Sequence, residues 1–444
     1  MSNLFTLIKE NSKSTQNTLT LYMNYLAVTY AFVLPITWKG KSTIFLFILL
    51  LFFIRRNFIY YLKDSFTNTI VKAFLLYLLV YFLWLFGTDN FEQAKKMIDY
   101  AKYAIIPLIF LTFLTKEFGY KVIAGFMTGV FISEIISYFV RFQVLPQKLN
   151  LLSKNLYSVA DINDPTPFLY HSQYTVTLSI VVAFFVIQLL EKRNSLKIKI
   201  ISLLFISTAT INLTLIGGRS GYLSFIILLF AIAVLKFKRK ALIPLVYVVL
   251  IISAISFGAY NSSHMFKSRI DYSLNTLEKL NRNSHDFNSS LGVRIAFWFY
   301  GSKVISNNLL LGVGTGDQMD EVKKLISNDK DYIKRHPHLH SVYLSQLVQF
   351  GIIGLFIYLN IFFQIFKYNY KNTYSKEIAF VVSIGIAVAT LTETFYTKYY
   401  LAVWATIISA VLANKDLPSI SVEKNEKIIY TLIISITSLL IFFQ

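Results

Sequence analysis

The sequence predicts an all-α polytopic membrane protein, and three observations support that fold class. Of the 444 residues, 55% are hydrophobic and only 15% are charged, whereas soluble domains carry roughly 25% charged residues. The mean hydropathy is +0.56, and apolar runs long enough to cross a bilayer as helices recur along the chain. Windows such as Thr43–Ile54 are apolar throughout, whereas barrel strands alternate apolar and polar residues. A soluble enzyme, a disordered chain and a fibrous protein are therefore excluded.

The apolar segments predict about twelve membrane spans and leave a thirteenth, at 428–443, open. The span at 42–54 is short and must extend or tilt to cross, and the span at 97–114 has several charged residues at its start. A polar N-terminal stretch without a small-residue cleavage site predicts a signal anchor. The twelve spans are 20–37, 42–54, 69–87, 97–114, 120–140, 171–190, 198–216, 221–235, 241–258, 341–366, 376–394 and 397–413.

Lysine and arginine outnumber aspartate and glutamate by 43 to 23, so the formal charge is +20. In a polytopic protein this excess is expected at the cytoplasmic edge, and it favours membrane lipids and anionic lipid-linked substrates as partners rather than nucleic acid. One set of alternate loops holds sixteen lysines and arginines and the opposite set holds eight, which predicts a cytoplasmic N-terminus. The chain has no cysteine, which excludes disulfides, thiolate nucleophiles and cysteine-ligated metals.

This orientation divides the chain into spans over 1–258, a large external loop over 259–340 and further spans over 341–444. The turn that contains Arg219 and the end of the loop at His340 then lie on the same external face. The Arg219 turn, the large loop and the end of that loop at His340 are thereby predicted to lie on one face, although they are far apart in the sequence.

The large external loop is predicted to be mostly helical. An amphipathic pattern over 291–306 predicts a helix that lies on the membrane. A glycine-rich turn over Leu311–Asp317 precedes a second short helix over Gln318–Ser327. Three residues share one face of the first helix: Ile295, Phe299 and Ser302.

Two arginines on this face could bind an anion. Arg219 has Gly218 and Gly221 beside it, and glycines let the backbone approach a ligand closely, while the following helix N-terminus adds positive charge. Arg294 lies on an apolar, aromatic-rich segment and must face water, a counter-charge or a substrate. Arginine binds phosphate through two parallel hydrogen bonds, so a lipid diphosphate is a candidate ligand. The alternatives are contact with lipid headgroups or a neighbouring carboxylate for Arg219 and snorkelling for Arg294.

The histidines cluster at the end of the loop. His336, His338 and His340 occupy alternate positions, and Pro337 between the first two prevents a regular helix. Three nearby histidines can bind zinc, but no aspartate, glutamate or cysteine accompanies them at ligand spacing, so a metal site is not expected. His340 opens a membrane span, where a neutral imidazole can accept a proton from a hydroxyl, while the other two are expected to be solvated.

Two further patterns are weaker. Intramembrane Glu134 and Glu393 are costly unless they are paired or face a cavity, so they are candidates for orienting an arginine or a histidine. The glycine-rich segment 312–316 resembles a nucleotide-binding loop, but it lacks the strand, the helix and the βαβ context that such a loop needs.

Several of these residues match the motifs of a known family. His340-Ser341, nine residues and then Gly351-Ile352-Ile353-Gly354 fit the pattern His-(Asn/Ser/Gln)-x9-Gly-x-x-Gly. Arg294 with Trp298, followed by Leu311–Gly314, is similar to the segment before that pattern, and the Arg219 turn is similar to the family's arginine turn. Over about 200–355 the chain thus resembles the bacterial O-antigen ligase and O-antigen polymerase superfamily.

The resemblance implies a metal-independent glycosyltransferase without cofactors, whose fold is similar to the integral-membrane GT-C class. Such enzymes move a glycan from undecaprenyl diphosphate to a sugar hydroxyl. The acceptor is lipid A–core in ligases and another lipid-linked glycan in polymerases. The resemblance also implies that Arg219 and Arg294 hold the diphosphate and that His340 activates the acceptor. The residues expected to support them are Gly218, Gly221, His338, Ser341 and Glu393.

The expected function is therefore O-antigen ligation in the bacterial inner (cytoplasmic) membrane, with the active site facing the periplasm. A polymerase is the alternative, and a thirteenth span would depart from the twelve that are usual in ligases. A transporter of lipid-linked glycans is a further alternative, but transporters place substrate groups near the bilayer midplane and often carry inverted repeats. Here the polar candidates gather at one surface and no repeat is visible.

Overall fold

The computed structural model describes residues 13–37, 40–55, 57–151, 154–282, 287–327, 330–395 and 398–416. The helices before the large loop are α1 (Lys13–Val33), α2 (Gly40–Ile54), α3 (Phe58–Phe66), α4 (Thr69–Leu83), α5 (Phe91–Ala101), α6 (Ile106–Phe110), α7 (Lys116–Arg141), α8 (His171–Leu190), α9 (Leu196–Leu215), α10 (Arg219–Phe237) and α11 (Leu242–Ser262). The loop and the C-terminal part contain α12 (His264–Arg282), α13 (Ser290–Asn307), α14 (Gln318–Lys324), α15 (Asp331–Lys334), α16 (Val342–Lys367), α17 (Thr373–Thr392) and α18 (Tyr399–Leu412).

The described residues include eight helices that are long and apolar enough to cross a membrane, or nine if the bent pair of α2 and α3 is one span. These eight segments are Thr69–Gly87, Lys116–Arg141, His171–Leu190, Leu196–Leu215, Arg219–Lys240, Leu242–Ser262, Val342–Lys367 and Thr373–Thr392. The chain is thus a multi-pass, helical membrane protein, as predicted. The count of twelve or thirteen spans stays a prediction, and 428–443 lies outside the described residues.

The predicted span at 97–114 is wrong as a single helix. In its place α5, a 3₁₀ turn over Lys102–Ile105 and the short α6 follow one another. Pro107 near the start of α6 has no N–H to continue a helical hydrogen-bond ladder. α5 is amphipathic: it buries Ala94 and Met97 and exposes its charged face, so it cannot be surrounded by lipid on all sides.

The connection between α7 and α8 contains a hairpin that the sequence analysis did not predict. β1 (Lys148–Leu151) pairs antiparallel with β2 (Lys154–Ser158), and these are the strands of the described chain. Tyr157 and Val159 pack with Val140 at the end of α7. The strands are too short to show a clear alternation of apolar and polar residues.

The bundle is densest around α8. About 72% of the apolar stretch of α8 is buried, against 6% for α11, so α8 is central and α11 peripheral. A second packed region lies near α18, where the Trp404 ring contacts Phe74 and Phe362. The helices of the large loop, α12 to α15, lie at one end of this bundle, which we call the loop face.

The loop helix predicted over 291–306 is confirmed as α13, and the second helix as α14. The Ser289 hydroxyl caps α13 by accepting a hydrogen bond from Gly292 N at 2.8 Å. The buried face carries Val293, Ala296, Phe297, Tyr300 and Val304. Trp298 and Phe299 on the other side are 42% and 37% exposed, which leaves an apolar surface for a membrane interface.

α16 is broken where the sequence motif places its first glycine. Gly351 has φ 63° and ψ −159°, and the chain resumes a helical course after it. At this break the glycine-rich turn docks: Val313 N donates to Val348 O at 2.9 Å, and Gly314 N donates to Gln349 O at 3.0 Å. A Cβ on Gly351 would lie 2.3 Å from Leu310 O, so only glycine permits this contact.

Candidate active site

Arg219 is the first residue of α10 and lies on the loop face. Gly218 is the N-cap of α10, and a Cβ built on it would lie 2.1 Å from Thr175 Oγ1 on α8. A Cβ on Gly221 would lie 2.2 Å from Thr175 Cβ. The two glycines therefore serve the close packing of α8 against α10 rather than an approach to a ligand. This packing fixes where Arg219 begins its helix.

Arg219 and Arg294 converge on one serine at the start of α13. Arg219 Nη2 donates to Ser290 Oγ at 2.9 Å, and Arg294 Nη1 donates to the same oxygen at 2.9 Å. Arg219 Nη1 also donates to Ser273 Oγ at 3.1 Å. Within the described residues, no carboxylate lies within ion-pair distance of Arg219. Its charge is met by neutral hydroxyls, so a stronger acceptor such as phosphate would displace them favourably.

Arg294 is held by the end of α17. Its Nε donates to Thr392 O at 3.2 Å, and its Nη2 lies 3.3 Å from Glu393 Oε1. Burial raises the pKa of Glu393, while the positive charge of Arg294 opposes that rise. The structure thus brings Glu393 to Arg294, whereas Glu134 is buried within α7.

Three residues that the sequence analysis did not select lie near Arg219: Arg269, Asp164 and His171. The Arg269 guanidinium packs against Gly217, where a Cβ would lie 2.6 Å from its Nε. Asp164 Oδ2 lies 4.0 Å from Arg269 Nη2 and 3.9 Å from His171 Nδ1. The same carboxylate accepts a hydrogen bond from Gly217 N at 3.1 Å through Oδ1. No motif marked these residues, since each comes from a different segment and only the fold joins them.

The three histidines form one cluster beside α13. His340 Nε2 lies 3.3 Å from His336 Nδ1, and the ring centroids of His338 and His340 are 4.2 Å apart. The Phe297 ring stacks on His340 with centroids 6.0 Å apart. His338 is half-buried in this cluster, so the expectation that it would be solvated is wrong.

Burial holds all three imidazoles in the neutral form. It lowers the pKa of His340 to about 2 and that of His338 to about 4, and it also lowers the pKa of His336. The positive charge of Arg294 adds to the shift at each ring. Phe297, which stacks on His340, lies on the same helix as Arg294, so α13 connects the histidines with the arginines.

His340 occupies a backbone conformation that few residues adopt. Its φ is 54°, in the left-handed region, where histidine is tolerated better than most non-glycine residues. Ser341 follows as the N-cap of α16, and its Oγ accepts a hydrogen bond from Leu344 N at 3.3 Å. His340 Nδ1 is buried and has no hydrogen-bond partner among the described residues. This neutral ring nitrogen can accept a hydrogen bond from a hydroxyl group.

A small cavity adjoins His338, with a volume of about 30 Å³, enough for about two water molecules. His338, Gln318, Ser345 and Gln346 line it together with tyrosine rings. Gln318 Oε1 and Ser345 Oγ are buried there without a partner among the described residues. Hydroxyl groups or water could satisfy both atoms.

The remaining candidates lie outside this arrangement. Among the residues that the structure describes, no group of three histidine, aspartate or glutamate side chains is placed to hold a metal ion. The glycine-rich segment 312–316 is used internally, since it docks on the break in α16 and Gly316 N donates to Gln349 Oε1 at 3.1 Å.

Comparison with known proteins finds a family that is similar to part of the chain. The family model described as O-antigen ligase matches residues 203–359, from the second turn of α9 to the middle of α16. The matched segment contains Arg219, Arg269, Arg294 and the histidine cluster. A search of curated proteins finds no significant match. Residues 203–359 are therefore similar to the O-antigen ligase family, and this match supports the O-antigen ligase and polymerase superfamily.

Proposed function

We propose that this protein is an O-antigen ligase, which transfers a glycan from undecaprenyl diphosphate to a sugar hydroxyl of lipid A–core without a metal ion. The observation that carries the proposal is the pair Arg219 and Arg294 on one serine hydroxyl, next to a neutral His340. The two arginines suit a diphosphate, and His340 suits a hydroxyl that must lose a proton. The family match supports the same class of enzyme.

In this proposal the arginines stabilise the leaving group. When the bond between the sugar C1 and the phosphate oxygen breaks, its electron pair remains on the diphosphate, and negative charge develops there. Guanidinium groups that are already in place stabilise that charge without reorganisation. Arg219 is free of carboxylates in the described part of the chain and is the stronger candidate for direct contact, while Glu393 orients Arg294. Arg269 adds a third positive charge at the edge of the site.

His340 accepts the proton of the acceptor hydroxyl. With Nε2–H donated to His336 Nδ1, the lone pair of His340 Nδ1 is available. The acceptor oxygen forms a bond to C1 of the donor sugar as its proton passes to that nitrogen. The products are the glycosylated acceptor and undecaprenyl diphosphate, so the step needs neither an oxidant nor a nucleotide.

The proposal places the loop face in the periplasm and the protein in the inner membrane. The lysine and arginine distribution supports this orientation, since the loops at the opposite end of the bundle are richer in both. Both substrates are lipid-linked, so a site at the membrane surface can reach both of their head groups.

The test is a reaction in detergent or liposomes with purified protein, a labelled undecaprenyl-diphosphate glycan and one of two acceptors. A ligase caps lipid A–core and releases undecaprenyl diphosphate, and Arg219→Lys lowers the rate of both about 100-fold or more. If instead the label appears only in lengthened lipid-linked glycan, the protein is a polymerase that uses the same residues. Movement of uncleaved donor across the liposome, without either product, would identify a transporter and contradict the proposal.

A further inference from the structure

The two ring nitrogens of His340 face different groups. Nδ1 is buried and has no hydrogen-bond partner among the described residues. Nε2 lies 3.3 Å from His336 Nδ1, and the two ring planes are inclined at 72°. A neutral imidazole has one N–H donor and one acceptor nitrogen. With Nε2–H of His340 donated to His336 Nδ1, His336 carries its own proton on Nε2.

His336 is the wetter neighbour of His340. It is partly exposed and lies between Arg335 and Pro337, which are both exposed. His338 instead precedes the buried Leu339 and lines the small cavity next to α16. A proton that moves from His340 to His336 therefore moves towards water.

One ring of α13 helps to hold the histidine pair in place. Phe297 stacks on His340 with centroids 6.0 Å apart, and it meets the His336 ring edge to face with centroids 5.9 Å apart. Because the same side chain packs against both imidazoles, their mutual orientation is set by the packed site. A preset contact of this kind favours proton transfer between the rings.

His340 is a poor place to keep a proton. Burial lowers its pKa to about 2, and the positive charge of Arg294 adds to that shift. Arg294 also lowers the pKa of His336. While the new product covers Nδ1 of His340, a proton that returned by this nitrogen would reverse the reaction. Nε2 is the other route out of the ring.

We propose that His336 passes the acceptor's proton from His340 to water. The inference rests on the proposed function, in which His340 Nδ1 takes that proton. As Nδ1 is protonated, the Nε2–H proton of His340 passes to His336 Nδ1, and the Nε2–H proton of His336 passes to water. Both rings end neutral, and no further reactant is needed. Exchange with water returns them to their first tautomers after the product leaves.

The experiment separates proton transfer from positioning by comparing two variants. The side-chain oxygen in His336→Asn can still accept a hydrogen bond from His340 Nε2, but the amide cannot pass a proton on. His336→Ala removes both functions. We expect kcat to fall about 100-fold in each variant, as for the loss of an acid–base group. KM for the donor should stay near wild type, since both arginines remain.

Two further measurements report on the proton itself. The solvent deuterium isotope effect on kcat should be larger in His336→Asn than in the wild type, because proton release becomes slow. Added imidazole should restore part of the kcat of His336→Ala by taking the place of the missing ring. His338→Ala is the matched control, since it also removes a ring beside His340. Its kcat should stay near wild type and should not respond to imidazole.

Wild-type kcat in His336→Asn would overturn the proposal, because His336 would then serve only as a hydrogen-bond acceptor. An unchanged isotope effect in that variant, or a folded His336→Ala that does not respond to imidazole, would equally overturn it. Melting temperature and binding of labelled donor verify that each variant is folded. If His336→Ala does not fold, His336→Asn and its isotope effect decide. Absence of transfer by the wild type contradicts only the proposed function.

Discussion

Arg219 and Arg294 are tied to each other through the Ser290 hydroxyl, which lies 2.9 Å from a terminal nitrogen of each guanidinium. The arginines start from different helices, α10 and α13, that are separated in sequence by α11 and α12. Glu393 offsets the charge of Arg294, whereas Arg219 has no carboxylate partner among the described residues. One anion placed between the two guanidinium groups could accept hydrogen bonds from both.

The first prediction concerns this pair. Arg219→Lys or Arg294→Lys should lower kcat/KM for glycan transfer about 100-fold or more, because lysine offers a point charge and cannot make two parallel hydrogen bonds to phosphate. Steady-state rates with purified variants would measure the loss. Arg239→Lys, exposed at the opposite end of the bundle, is the control and should keep wild-type activity. Near-normal turnover in either site variant would contradict a shared diphosphate site.

The second prediction concerns the base. His340→Asn should abolish transfer while donor binding persists, since asparagine also tolerates the left-handed backbone at this position and the arginines remain. Binding of labelled donor and product formation are measured on the same preparation. His338→Ala should retain most of the transfer activity, and EDTA should have little effect. If a chelator stops the reaction and zinc restores it, the histidines form a metal site instead.

The third prediction is a pH profile. The base must be neutral, so activity falls as the pH drops through the pKa of His340 in the folded protein. Because burial lowers that pKa to about 2 and an unperturbed histidine titrates near pH 6.5, kcat/KM should stay level as the pH falls through 6.5. The positive charge of Arg294 lowers the pKa of His340, so Arg294→Gln should raise that pKa. As the pH is lowered, the residual activity of Arg294→Gln should therefore be lost at a higher pH than the activity of the wild type. A wild-type acid limb centred near pH 6.5 would contradict the buried environment.

The fourth prediction concerns the break in α16. Gly351→Ala should lower the free energy of unfolding by more than about 1 kcal/mol, because alanine would have to adopt a positive φ with its Cβ against the Leu310 carbonyl. Thermal unfolding in detergent measures the change. Gly258→Ala on α11 is the matched control, since a Cβ there has no neighbour within 4 Å, and its melting temperature should not fall. Equal melting temperatures for both variants would show that the turn does not depend on Gly351.

The fifth prediction tests the orientation. The chain has no cysteine, so single cysteines can be introduced without background. Asn288→Cys on the loop face should react with a membrane-impermeant maleimide in intact spheroplasts, and Lys192→Cys at the opposite end should react only after permeabilisation. The reverse pattern would place the loop in the cytoplasm and remove the proposed periplasmic site.

Local sequence patterns were sufficient to predict much of the fold and to select the candidate site residues. Spans such as α8 and α10, and the helix over 290–307, follow from hydropathy and periodicity, which depend only on neighbours along the chain. Arg219, Arg294 and His340 could be selected because their residue types are conspicuous beside apolar segments.

Other features depend on contacts between segments that are distant in sequence. Arg269, His171 and Asp164 meet only when α12, α8 and the connection before α8 pack together. The roles of Gly218 and Gly221 became clear only from Thr175 on the neighbouring helix. The same holds for the neutral histidines, since burial is a property of the packed bundle. A sequence pattern determines which face of a helix is apolar, but tertiary packing decides which helix covers that face and which side is left to lipid.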